Sequence, residues 1–337
     1  MIDFRSDTVT KPSAAMKDAM FAAPVGDDVF GEDPSIIELE QYAANLFGKE
    51  AGLFCSSGTQ TNQIAINVHV QPGGEVICHE ESHIYKYEGG GIAFNSGASV
   101  RLLRGERGRI TANQVMAGIN PDDIHKPPTT LVSLENTVNR AGGSIYQLTD
   151  IKPIKEVCST KNLSLHLDGA RLFNALIETK DTPKAYGETF DSISICLSKG
   201  LGAPIGSLLL GNQAFIKKAK RFRKVFGGGM RQAGFMAAAG VYALDHHIER
   251  LKIDHDHAKA LAVGFQEKPY VKMVLPVETN IVIFELKEQL PARDFVAQLK
   301  ENNILAYAIA PNRVRLVTHL DISTNMIDRT IEVIKKI

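Results

Sequence analysis

An excess of either charge is missing from this chain: 38 lysines and arginines stand against 38 aspartates and glutamates. That balance calls for neither nucleic acid nor an anionic membrane, and a near-neutral surface favours self-association. No apolar run approaches the roughly 20 residues that span a bilayer. The opening stretch MIDFRSDTVTKP lacks the basic-then-apolar pattern of a secretory leader. Cysteine is sparse. Cys55, Cys78, Cys158 and Cys196 lie far apart, each inside an apolar run, and no CxxC pair occurs. The expectation is four buried thiols in a reducing, cytoplasmic compartment. Neither GxGxxG nor GxxxxGKS/T occurs, so dinucleotide and Walker-type nucleotide binding are disfavoured.

What is present is a chain of 337 residues, 44% hydrophobic, long enough for a substantial core. Strand-like runs at Gly52–Ser57, Glu75–Glu80, Ser99–Gly105, Thr130–Asn136, Leu163–Gly169 and Phe190–Leu197 alternate with helical stretches. Those helices are expected near 59–70, 112–118, 150–160 and from about 170. Short connections in a βα alternation predict an α/β fold with a mostly parallel sheet covered on both faces. Ligands of such sheets bind beyond the carboxyl ends of the strands. Helices at 213–225 and 231–247 follow, split by Gly227, Gly228 and Gly229, then a third near 248–267. The remaining strands and helices read as a small α+β unit. The expected division is residues 1–250, an N-terminal arm with a large domain, and 251–337, a small C-terminal domain.

Lys199 is the foremost chemical candidate. A strand delivers it into the run ICLSKGLGAPIGSLLLG, where Gly200, Gly202, Pro204 and Gly206 follow at once. An amine walled by apolar residues is poorly solvated as an ammonium, and a lysine so placed can act as a nucleophile that forms a Schiff base. The alternative is a lysine in a tight turn. In CSSGTQTN, Gly58 and Thr59 open a helix, where free N–H groups suit an anion; capping by Ser57 or Thr59 is the plainer reading. LHLDGAR puts Asp168 at a strand end with Arg171 just after it, fit to hold a cationic ring nitrogen and an anionic oxygen, or simply to pair with each other. His83 follows a strand beside Glu80 and Glu81, and His125 sits in PDDIHKPP before another; either could be structural. Arg231 follows three glycines at a helix start, and Arg315 shares a strand face with Arg313, presented to clamp a carboxylate. His246, His247, His255 and His257 have poor spacing for a metal, and His166 with Asp168 gives only two ligands, so no metal is expected.

The blocks FRSDTVTKP, GDDVFGEDPS, SGTQTN, HLDGARLFNA, CLSKGLGAPIGSLLLG, GGGMRQAG and VRLVTHLD occur in this order from residue 4 to about 321. Together they resemble the fold type I pyridoxal-phosphate enzymes of the aspartate-aminotransferase superfamily, and most closely the low-specificity L-threonine aldolases. The resemblance implies a seven-stranded-type, mostly parallel sheet and pyridoxal 5′-phosphate as cofactor. Lys199 would hold it as a Schiff base, and Asp168 would pair with its ring nitrogen. Gly58, Thr59 and Ser198 would take its phosphate, with Arg231 reaching in from a neighbouring subunit. His83 would stack on the ring and could contact the substrate hydroxyl. Ser6, Arg171 and Arg315 would bind the amino-acid carboxylate. His125 would lie near the side-chain hydroxyl, with Tyr87 lining the same pocket, and either His83 or His125 would be the base.

The implied reaction is reversible retro-aldol cleavage of L-threonine or L-allo-threonine to glycine and acetaldehyde, in a homodimer or homotetramer with shared active sites. β-Elimination or racemisation on the same cofactor is the alternative. A binding protein that kept the fold would require damage to the anchor residues, and none is visible. Phe30 and Val138 depart from the family's usual tyrosine and histidine, which bears on side-chain preference and not on the cofactor.

Overall fold

The computed structural model describes residues 1–337. Seven strands build the main sheet: β1 (Ala51–Cys55), β2 (Glu75–His79), β3 (Ser99–Leu103), β4 (Thr129–Glu135), β5 (Ser164–Gly169), β6 (Ser192–Cys196) and β7 (Ser207–Gly211). Their spatial order is β1-β7-β6-β5-β4-β2-β3. β2, β6 and β7 are buried at every position, as expected of strands covered on both faces. The helices expected from the sequence form within a few residues of the predicted ends, including Gly58–His69, Ala112–Gly118 and Gln213–Val225. One helix, Pro183–Thr189, has no counterpart in the sequence reading; Thr182 caps it and Pro183 opens it, in a stretch with too little apolar periodicity to show.

The sheet is parallel except at β7, which runs antiparallel to both β1 and β6. The connection from β6 to β7 spans only residues 197–206, too short for the crossover of a dozen or more residues that a parallel return needs. The chain therefore turns back at once. That reversal holds Lys199 at the edge where β5 and β6 end.

A second sheet is wholly antiparallel, with order β10-β11-β9-β8, built from β8 (Val271–Val274), β9 (Ile281–Leu286), β10 (Tyr307–Ala310) and β11 (Arg313–Val317). Phe265, Phe284 and Phe295 pack at its centre, with ring centroids 4.1 to 6.3 Å apart. The two cores meet inside helix Leu251–Gln266: Leu251 belongs to the first, while Ala258, Leu261 and Phe265 belong to the second. This helix carries the charged run Asp254, His255, Asp256 and His257. It is largely buried, because it lies between the layers. Its histidines have local partners: His255 contacts Glu178 (2.7 Å) and Asn174 (2.9 Å), and His257 contacts Thr324 (3.1 Å).

The first residues of the chain join the C-terminal layer. Ile2–Asp3 pairs in parallel with Ile304–Leu305, Phe4 is fully buried in the second core, and the Phe4 carbonyl accepts the Val317 N–H (2.9 Å). From there the arm crosses to the main sheet. Removing the Phe4 anchor leaves a cavity where the arm begins. Phe4→Ala is expected to lower unfolding free energy by about 3–5 kcal/mol, measured by chemical denaturation; a loss below about 1 kcal/mol would show that the arm is held elsewhere.

Candidate active site

The carboxyl edge of β4, β5 and β6 brings three reactive groups together. Glu135 and Asp168 are directly paired across β4 and β5, and Asp168 faces Ser194 across β5 and β6. Lys199 follows β6 by three residues. Its backbone carbonyl accepts from Thr10 Oγ1 (3.0 Å), and no hydrogen bond or ion pair engages its amine. Asp168 is buried; one oxygen accepts from Asn62 Nδ2 (3.0 Å) and the other from the Ala170 N–H (3.2 Å).

Helix Gly58–His69 begins beside this edge. Ser57 Oγ accepts the Gln60 N–H (3.2 Å), which leaves the N–H groups of Gly58 and Thr59 without intrachain partners. A Cβ on Gly58 would lie 3.5 Å from Cys196 Sγ, so this helix start sits against the segment that carries Ser198. Ser198 Oγ has only a 3.9 Å contact with the same sulfur. Free N–H groups at a positive helix end, with a free hydroxyl, suit a phosphate. An unpaired amine and a buried carboxylate stand beyond it. Pyridoxal phosphate matches this donor set: an anion at one end, an aldehyde for the amine and a ring nitrogen for the carboxylate.

Two arginines lie on the arm side. Arg171 is buried, and both its Nε and Nη2 donate to Asp7, at 2.7 and 2.6 Å. Burial pushes the Asp7 carboxyl up, but the Arg171 and Lys199 charges prevail and hold it at about 2. Nε and Nη2 each give Asp7 one N–H, so Arg171 can offer a substrate both N–H groups of Nη1 and the second N–H of Nη2. Ser6 Oγ lies beside the pair, 3.4 Å from Asp7 Oδ1. Arg315 is partly buried and has no carboxylate partner. Its Nη1 donates to Asn139 Oδ1 (3.0 Å), its Nη2 to the Arg5 carbonyl (3.1 Å), and its Nε is shielded and unpaired. Burial, then the charge of Arg171, pulls its guanidinium down to about 10. This positive charge lacks its counterion.

His83 opens a short helix after β2. Its N–H donates to Glu135 Oε2 (2.9 Å), and its Nδ1 lies 2.9 Å from Glu88 Oε1. Tyr87 lies beside it, centroids 5.7 Å apart. Two expected site residues are not brought here. The His125 side chain is 83% exposed and pairs with Asp123 (2.8 Å). It precedes the amino end of β4, whereas Glu135 ends that strand about 20 Å away at 3.3 Å per residue. Arg231 pairs with Asp27 (2.8 Å) beside exposed Phe30. Its glycine loop does reach the helix start: a Cβ on Gly228 would fall 2.4 Å from Gln60 Nε2.

Sequence reading missed Asp7, Glu88, Glu135 and Asn62, and set His166 aside as an incomplete metal pair. Of these, His166 and Asn62 form a polar line with His69 and Ser192 where helix Gly58–His69 packs on β5 and β6. His69 Nε2 lies 2.8 Å from Ser192 Oγ, which lies 2.8 Å from His166 Nδ1; His166 Nε2 lies 3.1 Å from Asn62 Oδ1. The signals were present: Asn62 and His69 stand two helical turns apart, and His166 and Asp168 alternate on one strand face.

Comparison with solved structures places the fold. The chain superposes on Leishmania major threonine aldolase with a TM-score of 0.88 at 23% identity, covering 100% of this chain and 99% of that one. It superposes on SPT solved with PLP at 0.77 and 17% identity, covering 99% and 86%. At these identities the likeness establishes the fold, that of the fold type I pyridoxal-phosphate enzymes. In sequence, the chain is 45% identical over 324 residues to the low specificity L-threonine aldolase of Escherichia coli K12, covering 96% of this chain and 95% of that protein. Residues 3–289 match the beta-eliminating lyase family. The chain belongs to the beta-eliminating lyase family, in its low-specificity L-threonine aldolase branch.

The polar line has a thermodynamic consequence. Burial pulls His69 down to about 4 and His166 down to about 3, while an unfolded histidine titrates near about 6.5. Below that value the unfolded chain binds protons that the folded chain refuses, so stability falls as pH drops from about 6.5 towards about 4. Each group steepens the slope by up to about 1.4 kcal/mol per pH unit. Denaturation midpoints across that window check this. His69→Gln is expected to flatten the slope, and an unchanged slope would contradict the assignment.

Proposed function

We propose that this protein cleaves L-threonine, L-allo-threonine and related β-hydroxy-α-amino acids reversibly to glycine and an aldehyde, with pyridoxal 5′-phosphate as cofactor. The observation that carries the reading is Arg315, a partly buried guanidinium beside the Asp7–Arg171 pair with no carboxylate of its own. An amino-acid carboxylate is the anion it lacks.

Lys199 would hold the cofactor's aldehyde carbon, Asp168 its ring nitrogen, and Gly58, Thr59 and Ser198 its phosphate. When bound, the cofactor supplies an electron sink for the Cα–Cβ bond that breaks. Arg315, with the free N–H groups of Arg171 and the Ser6 hydroxyl, fixes the substrate carboxylate, which limits rotation about Cα and so selects the bond that is cleaved. His83 takes the β-hydroxyl proton at Nε2, which has no intrachain partner, while Nδ1 is turned to Glu88. Tyr87 walls the side-chain end of the pocket beside it.

His125 and Arg231 serve this chemistry only if they enter the site of a second copy. Their exposure, with that of Phe30, Phe94 and Ile124, supports a homo-oligomer with shared sites, a dimer or tetramer. The same reading takes the division near residue 250 as a domain boundary. Four free, buried cysteines support a cytoplasmic location, and no helix is long and apolar enough to cross a membrane.

Two variants test the assignment. Lys199→Ala is expected to release no acetaldehyde from L-threonine and to lose the visible absorbance of the bound cofactor; a wild-type rate would sink the role of Lys199. Arg315→Leu is expected to keep that absorbance while KM for L-threonine rises on the order of 100-fold, from loss of a desolvated charge pair. A KM within threefold of wild type would remove Arg315 from the carboxylate site.

A further inference from the structure

Glu88 has no place in the roles assigned above, yet its side chain is fully shielded from solvent and two of its three side-chain partners, Asn62 and His83, belong to the site. Oε1 accepts from Asn62 Nδ2 (2.9 Å) and meets His83 Nδ1 (2.9 Å); Oε2 accepts from Gln63 Nε2 (2.6 Å). The directions of these bonds are determined. Asn62 presents its NH2 to both Glu88 and Asp168 and its oxygen to His166 Nε2. Turning that amide over would aim its oxygen at two carboxylates. Gln63 is fixed in the same way, since its Oε1 accepts from Asn95 Nδ2 (3.2 Å). The carboxylate is an acceptor only, so the His83 nitrogen against it must carry the proton.

A neutral imidazole has one N–H, and here it is on Nδ1. Nε2 is then a bare acceptor with no intrachain partner, on a side chain that is 33% exposed. The backbone N–H of the same residue is held by Glu135, so the ring is anchored from both ends. Three carboxyl groups face it: Glu88 from the loop after its own helix, Glu135 from β4 and Asp168 from β5. The raised pKa of His83 reflects burial opposed and overcome by the Glu88 hydrogen bond and these charges.

We propose that Glu88 is a positioning residue for proton transfer at His83. By accepting Nδ1–H it selects the tautomer whose Nε2 lone pair meets the substrate hydroxyl, and Asn62 ties this pair to Asp168 through one NH2 group. The inference rests on the reading of His83 as the base. A carboxylate that holds a histidine in one tautomer is a known requirement of general-base catalysis. Asn62 adds a fixed spacing between the base and the carboxylate that serves the cofactor.

Two measurements test it. Nitrogen-15 NMR of the wild-type His83 ring should show the proton on Nδ1 at a pH where the ring is neutral, in the loaded and the cofactor-free protein alike; a proton on Nε2 would overturn the inference without any variant. Glu88→Gln should keep the cofactor absorbance, lower kcat for L-threonine at least tenfold with KM within threefold, and move the acid limb of the kcat profile to lower pH, because a negative charge beside His83 is lost. A wild-type rate and profile in Glu88→Gln, with His83→Phe strongly impaired, would overturn the role of Glu88 alone. A wild-type rate in His83→Phe would overturn the reading of His83 as the base.

Discussion

The buried pair of Asp7 and Arg171 is the contact on which the site depends. Both Asp7 oxygens meet the guanidinium, at 2.6 and 2.7 Å, and neither side chain reaches solvent to any extent. Breaking such a pair leaves a charge stranded in low dielectric, at a typical cost of about 3–5 kcal/mol. The pair therefore locks the arm onto the main sheet. Its neighbours on the arm are drawn in with it: Ser6 beside the pair, Arg5 beneath Arg315 and Thr10 on the carbonyl of Lys199. Because Asp7 neutralises Arg171, Arg315 remains as the unmatched charge. Affinity for a carboxylate follows from that imbalance.

A second constraint runs under helix Gly58–His69. A helix packed on two buried strands would ordinarily meet them through apolar side chains. Here a line of amide, hydroxyl and imidazole groups replaces part of that contact. Satisfied polar groups in a low-dielectric interface are directional, and an apolar contact is not. The line orients Asn62, and Asn62 orients Asp168 and Glu88 together. The same helix presents its first N–H groups at the carboxyl edge. In the proposed reading one element would set both the phosphate end and the ring-nitrogen end of a single ligand, as expected of a site placed on rigid elements.

Much of this was legible in the residues. Strand and helix positions followed from apolar runs punctuated by glycine and proline, and Lys199, Asp168 and Gly58 stood out because each sits where a strand ends. The direction of β7 was not read, although the shortness of the 197–206 connection dictates it. Asp7 was hidden because its partner is 164 residues away and nothing local distinguishes it from other arm residues. Glu88 and Asn62 were hidden because a polar residue in a helix or a glycine-rich loop is ordinarily solvated. His125 and Arg231 stood out in their loops but took their roles from the resemblance, and within one chain neither reaches Lys199; His125 precedes the strand at the opposite edge, and Arg231, expected to act from a neighbouring subunit, pairs with Asp27.

The central claim is that an unmatched guanidinium orients an amino-acid carboxylate for cleavage of the bond to the β-carbon. Comparing L-threonine with L-threoninamide on the wild-type enzyme tests it most directly. The two differ in the charge that Arg315 and Arg171 would hold and share the amine and the β-hydroxyl. The account predicts that kcat/KM for release of acetaldehyde from the amide is lower by on the order of 100-fold or more, the effect of losing a desolvated charge pair. Equal values for the two substrates would contradict it.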